Sequence, residues 1–230
     1  MIKLLVFDLD GTLADTRKDL AASVNAALSQ LGSSPLPLES IIAFLGDGAR
    51  NLLMRSIMAA GDGQASNAEI ESGVEAFLEH YREHCLAETR AYPGLTESLG
   101  RLGRFRKAVL TNKHGEPARK ILAGLGLAPH FTQVLGGDNP YGLKPDPEAM
   151  RKIMETEGVA PQETLLIGDG VQDLRTARRA GSHFLGFLGG MAPRAMMLAE
   201  HPEAVFEDMR GLVEAIAAVE ARPAGPETKA

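Results

Sequence analysis

The sequence predicts a doubly wound α/β protein, in which helices cover both faces of a parallel sheet and a helical domain is inserted near the start of the chain. Three observations predict this fold. Short apolar runs without polar alternation recur along the chain, as in strands that are buried on both faces of a parallel sheet. Helical segments separate most of these runs. Between the first and second run lies a long stretch whose apolar residues recur at helical spacing.

The predicted sheet is formed by five apolar runs. They are residues Leu4–Phe7, 108–110, 134–135, 165–167 and 184–188. In an open parallel sheet of this Rossmann-like kind, ligands bind outside the carboxyl ends of the strands. The residues that directly follow these runs are therefore candidates for a functional site.

The predicted insertion spans residues 15–92. Its apolar positions repeat at helical spacing in two segments, Leu20, Val24, Ala27, Leu28 and Leu31, ended by Gly32, and Ile70, Val74, Phe77, Leu78 and Tyr81. Residues 13–15 and 89–94 are the predicted hinges, and Pro93 and Gly94 are typical of a linker. We therefore expect an α/β core of residues 1–14 and 93–222. Residues 223–230 lack periodicity and are predicted to form a flexible tail.

The composition excludes several classes of protein. The chain has 230 residues, of which 44% are hydrophobic and 23% charged, as in ordinary globular proteins. A net charge of −6 without a basic run argues against a nucleic-acid partner. The single cysteine, Cys85, excludes an internal disulfide and favours a reducing compartment. The first apolar run is too short for a membrane span or a secretory segment, so we expect a cytoplasmic protein without a membrane partner.

The first predicted strand runs directly into Asp8, Leu9, Asp10, Gly11 and Thr12. Gly11 permits a sharp turn, so that two carboxylates and a hydroxyl crowd into a small volume. Such crowding is costly unless a cation or a substrate uses it. One carboxylate can attack phosphorus while the other protonates the leaving oxygen and later activates water. The alternative is a strand-to-helix turn with capping acids.

Two further loops carry groups that suit a phosphate. Thr111 and Asn112 follow the second predicted strand, and their side chains and backbone N–H groups can bind phosphate oxygens without adding charge. Both residue types also end strands without any function. Lys144 precedes two prolines that limit its backbone freedom, which suits a positive charge held against phosphate and carboxylate. A lone loop lysine is usually only solvated, so the functional interpretation depends on the neighbouring loops.

The fourth loop, residues 168–173, follows the predicted strand 165–167. Asp169 lies at the end of that strand and Asp173 in the first turn of the next helix, where both can point towards Asp8. Mg²⁺ takes oxygen ligands and keeps several waters, so two carboxylates and one carbonyl are enough to hold it. A helix-capping role explains Asp173 but does not explain Asp169.

In this order, the four loops resemble the four motifs of the haloacid dehalogenase-like hydrolase superfamily over nearly the whole chain. The resemblance implies that Asp8 is the nucleophile and that Asp10 is the acid and base, which also lends its backbone carbonyl to Mg²⁺. It implies the phosphate ligands Thr111 and Lys144, and the metal ligands Asp8, Asp10 and Asp169 with Asp173 behind them. Gly170 departs from the pattern of many relatives, which have Ser or Thr there. Metal binding is still expected because both acids of that motif remain.

Within the superfamily, the insertion resembles a C1 cap, and residues 15–32, 44–53 and 92–102 resemble phosphoglycolate phosphatases. The implied function is the Mg²⁺-dependent hydrolysis of a small phosphorylated metabolite, first of all 2-phosphoglycolate, through a phosphoaspartate. In the cap, Gly46 and Gly48 allow the backbone to approach a ligand, and Arg50 offers a planar fork for a substrate carboxylate. The alternative for Arg50 is a solvated residue at the start of a helix.

Other functions compete with this one. Asp10 argues against a true dehalogenase, which has no alkoxide to protonate. A phosphonoacetaldehyde hydrolase needs a cap lysine for a Schiff base, and no lysine lies between Lys18 and Lys107. A β-phosphoglucomutase-like phosphotransferase shares the motifs and differs in what the cap admits. A non-catalytic sensor of phosphorylated ligands is the alternative from another class. The sequence does not decide between a monomer and a dimer.

Overall fold

The structure, a computed structural model, describes residues 1–222. The predicted tail of residues 223–230 lies outside these described residues. The strands are β1 (Leu4–Phe7), β2 (Ala14–Asp15), β3 (Arg90–Ala91), β4 (Arg106–Leu110), β5 (Gln133–Leu135), β6 (Thr164–Gly168), β7 (His183–Phe187) and β8 (Val205–Phe206). The helices are α1 (Arg17–Gln30), α2 (Leu38–Ile42), α3 (Gly48–Ala60), α4 (Asn67–His84), α5 (Leu95–Arg101), α6 (Gly115–Gly124), α7 (Glu148–Glu157), α8 (Val171–Ala180), α9 (Arg194–Ala199) and α10 (Leu212–Glu220).

Six of the strands form one parallel sheet in the order β5-β4-β1-β6-β7-β8. The chain adds strands on one side of β1 up to β5 and then adds β6 to β8 on the other side, so the switch point of a doubly wound sheet lies beside β1. The predicted α/β fold is confirmed. The sequence did not predict β8, because this strand has only two residues and one of them, Val205, is exposed.

The central strand β1 is buried on both faces, as its unbroken apolar sequence requires. Leu4 and Val6 pack in an apolar cluster that contains residues of α7 and α8. Leu5 and Phe7 pack on the opposite face in a larger cluster, which contains residues of α5, α6 and α10 and also of the helices between β2 and β3. Strand β1 is thus fixed by packing from both sides, and so is the position of the residue after it.

Helices α1 to α4 lie between β2 and β3, and these two short strands pair antiparallel with Ala14 opposite Ala91. The pair occupies the two connections that were predicted as hinges. Helix α1 ends just before Gly32, whose φ of +73° suits glycine, and α4 begins at a capping box formed by Ser66 and Glu69. The domain boundaries at residues 15 and 92 stay a prediction.

In residues 1–222 no helix is long and apolar enough to cross a membrane.

A buried carboxylate ties the start of the insertion to its end. Asp19 in α1 accepts hydrogen bonds from the backbone N–H groups of Glu88 and Thr89, at 2.9 Å each, and from the Thr89 hydroxyl at 2.8 Å. Asp19 and Thr89 are both buried. Loss of the carboxylate would therefore leave several buried donors without an acceptor.

We expect the Asp19→Ala substitution to lower the free energy of unfolding by about 2–4 kcal/mol, because each unsatisfied buried donor costs about 1–3 kcal/mol. Denaturant-induced unfolding measures this loss. Glu71→Ala, at an exposed position of α4, is the matched control and should change the stability by less than about 0.5 kcal/mol. An equally small change in Asp19→Ala would show that water replaces the carboxylate at no cost.

Candidate active site

Three loops converge at the carboxyl edge of the sheet because their strands are neighbours. Phe7 lies beside Val109 on one side and Ile167 on the other. Asp8 therefore emerges between the residues after β4 and those that end β6. This proximity was predicted from the parallel arrangement alone.

The centre of the site is a cluster of three buried carboxylates. Oxygen atoms of Asp8, Asp169 and Asp173 all lie within 4.8 Å of one another. The Lys144 ammonium lies between two of them, 2.6 Å from Asp8 Oδ1 and 2.6 Å from Asp173 Oδ1. Three carboxylates and one lysine leave an excess of negative charge. Buried oxygen ligands with such an excess fit a hard divalent cation such as Mg²⁺.

The carboxylate of Asp169 is held in place by neighbouring backbone groups and a hydroxyl. Its Oδ2 accepts hydrogen bonds from the N–H groups of Met191 and Ala192 at 2.8 and 3.0 Å, and its Oδ1 accepts one from the Thr12 hydroxyl at 3.2 Å. A Cβ atom at Gly11 would lie 2.2 Å from Asp169 Oδ2, and Gly11 has a φ of +84°. Only glycine at this position allows the first loop to approach the carboxylate so closely.

The burial of these carboxylates and of Lys144 changes their pKa values. Burial, with the nearby charge of Asp173, raises the pKa of Asp169 to about 6. Burial also raises the pKa of Asp8 well above its usual range, although Lys144 opposes the effect. Burial lowers the pKa of Lys144, but the charges of Asp173 and Asp8 outweigh it and the net direction is upward. In the metal-free site, protons thus compensate part of the charge that a cation would otherwise balance.

The structure places Asp10 beside the cluster rather than within it. Its Oδ1 accepts a hydrogen bond from the Thr16 hydroxyl at 2.6 Å and lies 3.1 Å from Lys113 Nζ. Its carboxylate is not part of the group of three. The predicted metal contact through the Asp10 backbone carbonyl stays a prediction. The side chain lines a cavity and is available for proton transfer there.

Thr111 and Asn112 are both buried at the end of β4. The predicted phosphate contact of Thr111 stays a prediction, whereas the Asn112 amide is used differently from the prediction. The Asn112 amide donates to the carbonyls of Gly46 and Lys144, at 2.8 and 3.0 Å, and accepts from the Lys144 N–H at 2.7 Å. The predicted phosphate contact of this amide is therefore corrected, because backbone groups already occupy it. Asn112 holds the loop that carries Lys144. The Thr111 hydroxyl accepts from the Lys113 N–H at 3.2 Å.

A cavity of about 440 Å³ lies between the cluster and the inserted helices. Asp8, Asp10, Lys144, Asp169 and Asp173 form its floor. Its other walls are mostly apolar residues of the insertion and of residues 191–196, among them Ile42, Leu45, Leu52, Phe77, Leu78, Met191 and Met196. A ligand enclosed here would meet charge at one end and apolar surface at the other.

Arg50 does not reach this cavity, and its predicted contact with a substrate carboxylate is corrected. The side chain is exposed, donates to Asn67 Oδ1 at 2.9 Å and lines a separate groove on the outer face of the insertion. Arg55, five residues further along α3, faces the cavity instead and pairs with Asp47. Five residues correspond to about 140° around a helix, so the two arginines lie on different faces.

Besides Arg55 and His114, the sequence analysis gave no role in the cavity to three further polar side chains, those of Lys113, Tyr81 and Gln172. Lys113 and Tyr81 line it, and the Lys113 ammonium donates to the Tyr81 hydroxyl at 2.9 Å. Gln172 donates to Asp47 and thereby connects the fourth loop with the insertion. The position of Lys113 directly after Asn112 is a usable signal. Tyr81 fits the apolar face of a helix in the sequence, and this pattern gives no sign of a role for its hydroxyl.

Fold and site together define a doubly wound α/β protein with an acidic site at the switch point of its sheet. A family model described as haloacid dehalogenase-like hydrolase matches residues 5–187. The chain is 38% identical over 184 residues to a phosphoglycolate phosphatase of Nitrosospira multiformis, covering 79% of this chain and 81% of the relative. It is 35% identical over 202 residues to the phosphoglycolate phosphatase of Neisseria meningitidis, covering 85% and 84%.

Among solved structures, one described as a predicted phosphoglycolate phosphatase from Haemophilus somnus superposes with a TM-score of 0.86 at 28% identity, covering 93% of this chain and 97% of that one. A predicted phosphatase from Clostridium acetobutylicum has the same fold, with a TM-score of 0.83 at 20% identity and coverage of 95% and 99%. The chain belongs to the haloacid dehalogenase-like hydrolase family, as its four loops indicated.

The raised pKa of Asp169 gives the metal-free protein a distinct dependence of stability on pH. The folded state keeps this proton up to about pH 6, whereas the unfolded chain loses it near pH 4. Because the folded state binds more protons in this interval, the contribution of Asp169 to stability falls as the pH rises from about 4 to about 6 and does not change further above it.

We therefore expect Asp169→Asn to be more stable than the wild type at pH 7 in the presence of a chelator, by an amount of the order of 2–3 kcal/mol. The difference should shrink towards pH 4, where the wild-type carboxyl is protonated in both states. Denaturant unfolding between pH 4 and 7.5 measures it. A difference that does not change with pH would contradict the assignment of the titration to Asp169.

Proposed function

We propose that this protein is a Mg²⁺-dependent phosphatase that hydrolyses a small phosphomonoester through a phosphoaspartate on Asp8. The observation that carries the proposal is the position of Asp8. Its carboxylate ends the central strand, lies on the floor of the cavity, and has Lys144 Nζ 2.6 Å from one of its two oxygens. Its other oxygen is left to act as a nucleophile. Asp10, two residues further on, supplies the acid that such a reaction needs.

The residues suggest a reaction in two steps. In the first, Asp8 attacks phosphorus, the bond from phosphorus to the ester oxygen breaks, and Asp10 gives its proton to the departing alkoxide. In the second, Asp10 takes a proton from a water molecule that attacks the phosphorus of the acyl phosphate. The bond between phosphorus and the Asp8 oxygen then breaks, which releases phosphate and restores the carboxylate. Lys144 offsets negative charge in both steps.

The donor set of the site supports Mg²⁺ as the cofactor. Asp8, Asp169 and the backbone carbonyl of Asp10 would hold the ion, and Asp173, paired with Lys144, would stay behind them. When bound, Mg²⁺ supplies positive charge for the carboxylates and for the phosphoryl oxygens. The close approach of Gly11 to Asp169 brings the first and fourth loops near enough to share one ion.

The leading substrate is 2-phosphoglycolate, which would be cleaved to glycolate and phosphate. This choice is supported by the relatives from Nitrosospira multiformis and Neisseria meningitidis, both named phosphoglycolate phosphatase. A phosphotransferase related to β-phosphoglucomutase would instead isomerise a sugar phosphate with little release of phosphate. A sensor would bind the ligand and release nothing. Product analysis with purified protein separates the three.

Replacing the nucleophile should abolish the reaction. We expect Asp8→Asn to hydrolyse neither 2-phosphoglycolate nor p-nitrophenyl phosphate at a measurable rate, because the amide cannot form the acyl phosphate. The variant should keep the circular dichroism spectrum and cooperative unfolding of the wild type. Fluoroberyllate, which mimics the phosphoaspartate, should inhibit the wild type only when Mg²⁺ is present. Turnover of Asp8→Asn at the wild-type rate would exclude covalent catalysis by this residue.

Metal dependence should be traceable to Asp169. We expect Asp169→Ala to need about tenfold or more Mg²⁺ for half-maximal activity, and its melting temperature to respond less to added Mg²⁺ than that of the wild type. Asp62→Ala, which removes an exposed carboxylate of a cap loop, is the control for general charge effects. Full wild-type activity in excess chelator would rule out the metal-dependent mechanism as a whole.

A further inference from the structure

Within residues 1–222, the lysine and arginine side chains that line the cavity are Arg55, Lys113 and Lys144. They differ in the groups with which they are already paired. Lys144 lies between Asp8 and Asp173 at the phosphoryl end of the site. Arg55 is held by Asp47 and by the carbonyl of Phe44. Lys113 lies next to Asp10 and Tyr81.

We propose that Lys113 determines substrate specificity by binding a carboxylate that is attached to the carbon bearing the phosphate ester. The substrate class is then the O-phosphorylated 2-hydroxy acids. This inference rests on the proposed phosphatase function and adds to it the residue that recognises the leaving group. It replaces Arg50, the residue that the sequence suggested for this contact.

The surroundings of Lys113 suit an anion-binding group. Its ammonium lies 3.1 Å from Asp10 Oδ1 and 2.9 Å from the Tyr81 hydroxyl, and its side chain is only 5% exposed. It also lies 4.2 Å from the centre of the Tyr81 ring. An ammonium has three N–H donors. Two are used by Asp10 and Tyr81, so one donor remains for a ligand in the cavity.

The distance between Lys113 and Asp10 determines which substrate carboxylates Lys113 can bind. The ester oxygen that Asp10 protonates must come within about 3.2 Å of its carboxylate. In a phosphorylated 2-hydroxy acid, two bonds of about 1.5 Å each separate that oxygen from the carboxyl carbon. A cation 3.1 Å from Asp10 can therefore reach such a carboxylate with a hydrogen bond when the ester oxygen lies at Asp10. An acid with one more methylene carries its carboxylate one bond farther from the ester oxygen, and much of the remaining cavity wall is apolar.

Tyr81 fixes the position of the ammonium from the side of the insertion. Its ring is buried and stacks on Phe77 with a centroid distance of 5.4 Å and an interplanar angle of 9°. Because Tyr81 belongs to α4 and Lys113 to the loop after β4, the contact forms only when α4 lies over the core. Recognition of the carboxylate is thereby linked to enclosure of the substrate.

The test compares substrates that differ only in the proposed contact. They are 2-phosphoglycolate, the phosphate ester of glycolamide, which has the same shape without the charge, and the phosphate ester of 3-hydroxypropionate, which is one methylene longer. The wild type should prefer 2-phosphoglycolate over both others by about tenfold to a hundredfold in kcat/KM, the usual effect of one charge-assisted hydrogen bond. Lys113→Met should lose this preference and still hydrolyse the glycolamide ester.

Two further variants complete the experiment. Lys120→Met removes an exposed lysine of α6 and should keep the wild-type preference. Tyr81→Phe keeps the ring but frees the ammonium, and should lower the preference in part, which gives a second measurement should Lys113→Met fail to fold.

Equal losses on 2-phosphoglycolate and on the glycolamide ester in Lys113→Met would overturn the proposal, since Lys113 would then act only by positioning Asp10. A wild type without preference between these two substrates would overturn it as well, while leaving the phosphatase function intact. A wild type that hydrolyses none of the three esters or p-nitrophenyl phosphate would refute the proposed function itself, and this inference with it.

Discussion

The buried ammonium of Lys144 is the interaction on which the rest of the site depends. It lies 2.6 Å from both Asp8 and Asp173, and without it the three carboxylates of the cluster would face one another inside the protein. Removing one partner of a buried ion pair typically costs about 3–5 kcal/mol, because the remaining charge is left uncompensated. The two hydrogen bonds between the Asn112 amide and the Lys144 backbone, one donated by each residue, are explained by this requirement. They hold the lysine where the strand ends place the acids.

The insertion is bound to the core by contacts with the loops that surround the acidic cluster. The carbonyl of Gly46 accepts from Asn112, Asp47 accepts from Gln172, and Tyr81 accepts from Lys113. One continuous apolar cluster also contains residues of both parts. The cavity is therefore enclosed by contacts that depend on the arrangement of the loops around the acidic cluster, and these contacts restrict the access of water to the acids when the insertion lies over the core.

The apolar runs, and the parallel sheet that they indicate, were enough to predict the sheet and the edge at which the acids meet. Unbroken apolar runs identified five of the six strands of the sheet, and parallel strands must bring Asp8 and Asp169 to the same edge. The orientation of a side chain on a helix of the insertion was not predictable in this way. Arg50 and Arg55 both belong to α3, and the sequence pattern does not distinguish the directions in which they point. Only the packing of α3 decides that Arg55 faces the cavity. The use of the Asn112 amide by backbone groups likewise depends on a loop distant in sequence.

The distribution of charge around the cavity suggests why the walls that the insertion contributes can be apolar. If Lys144 holds the phosphoryl end and Lys113 the carboxylate, both ends of a small substrate are bound by lysines of the core. The insertion then needs no further free cation, and Arg55 is indeed paired with Asp47. Apolar walls exclude water and leave each buried charge with a strong interaction. Specificity would then arise from the distance between two core lysines, while the insertion limits the length of the molecule that fits between them.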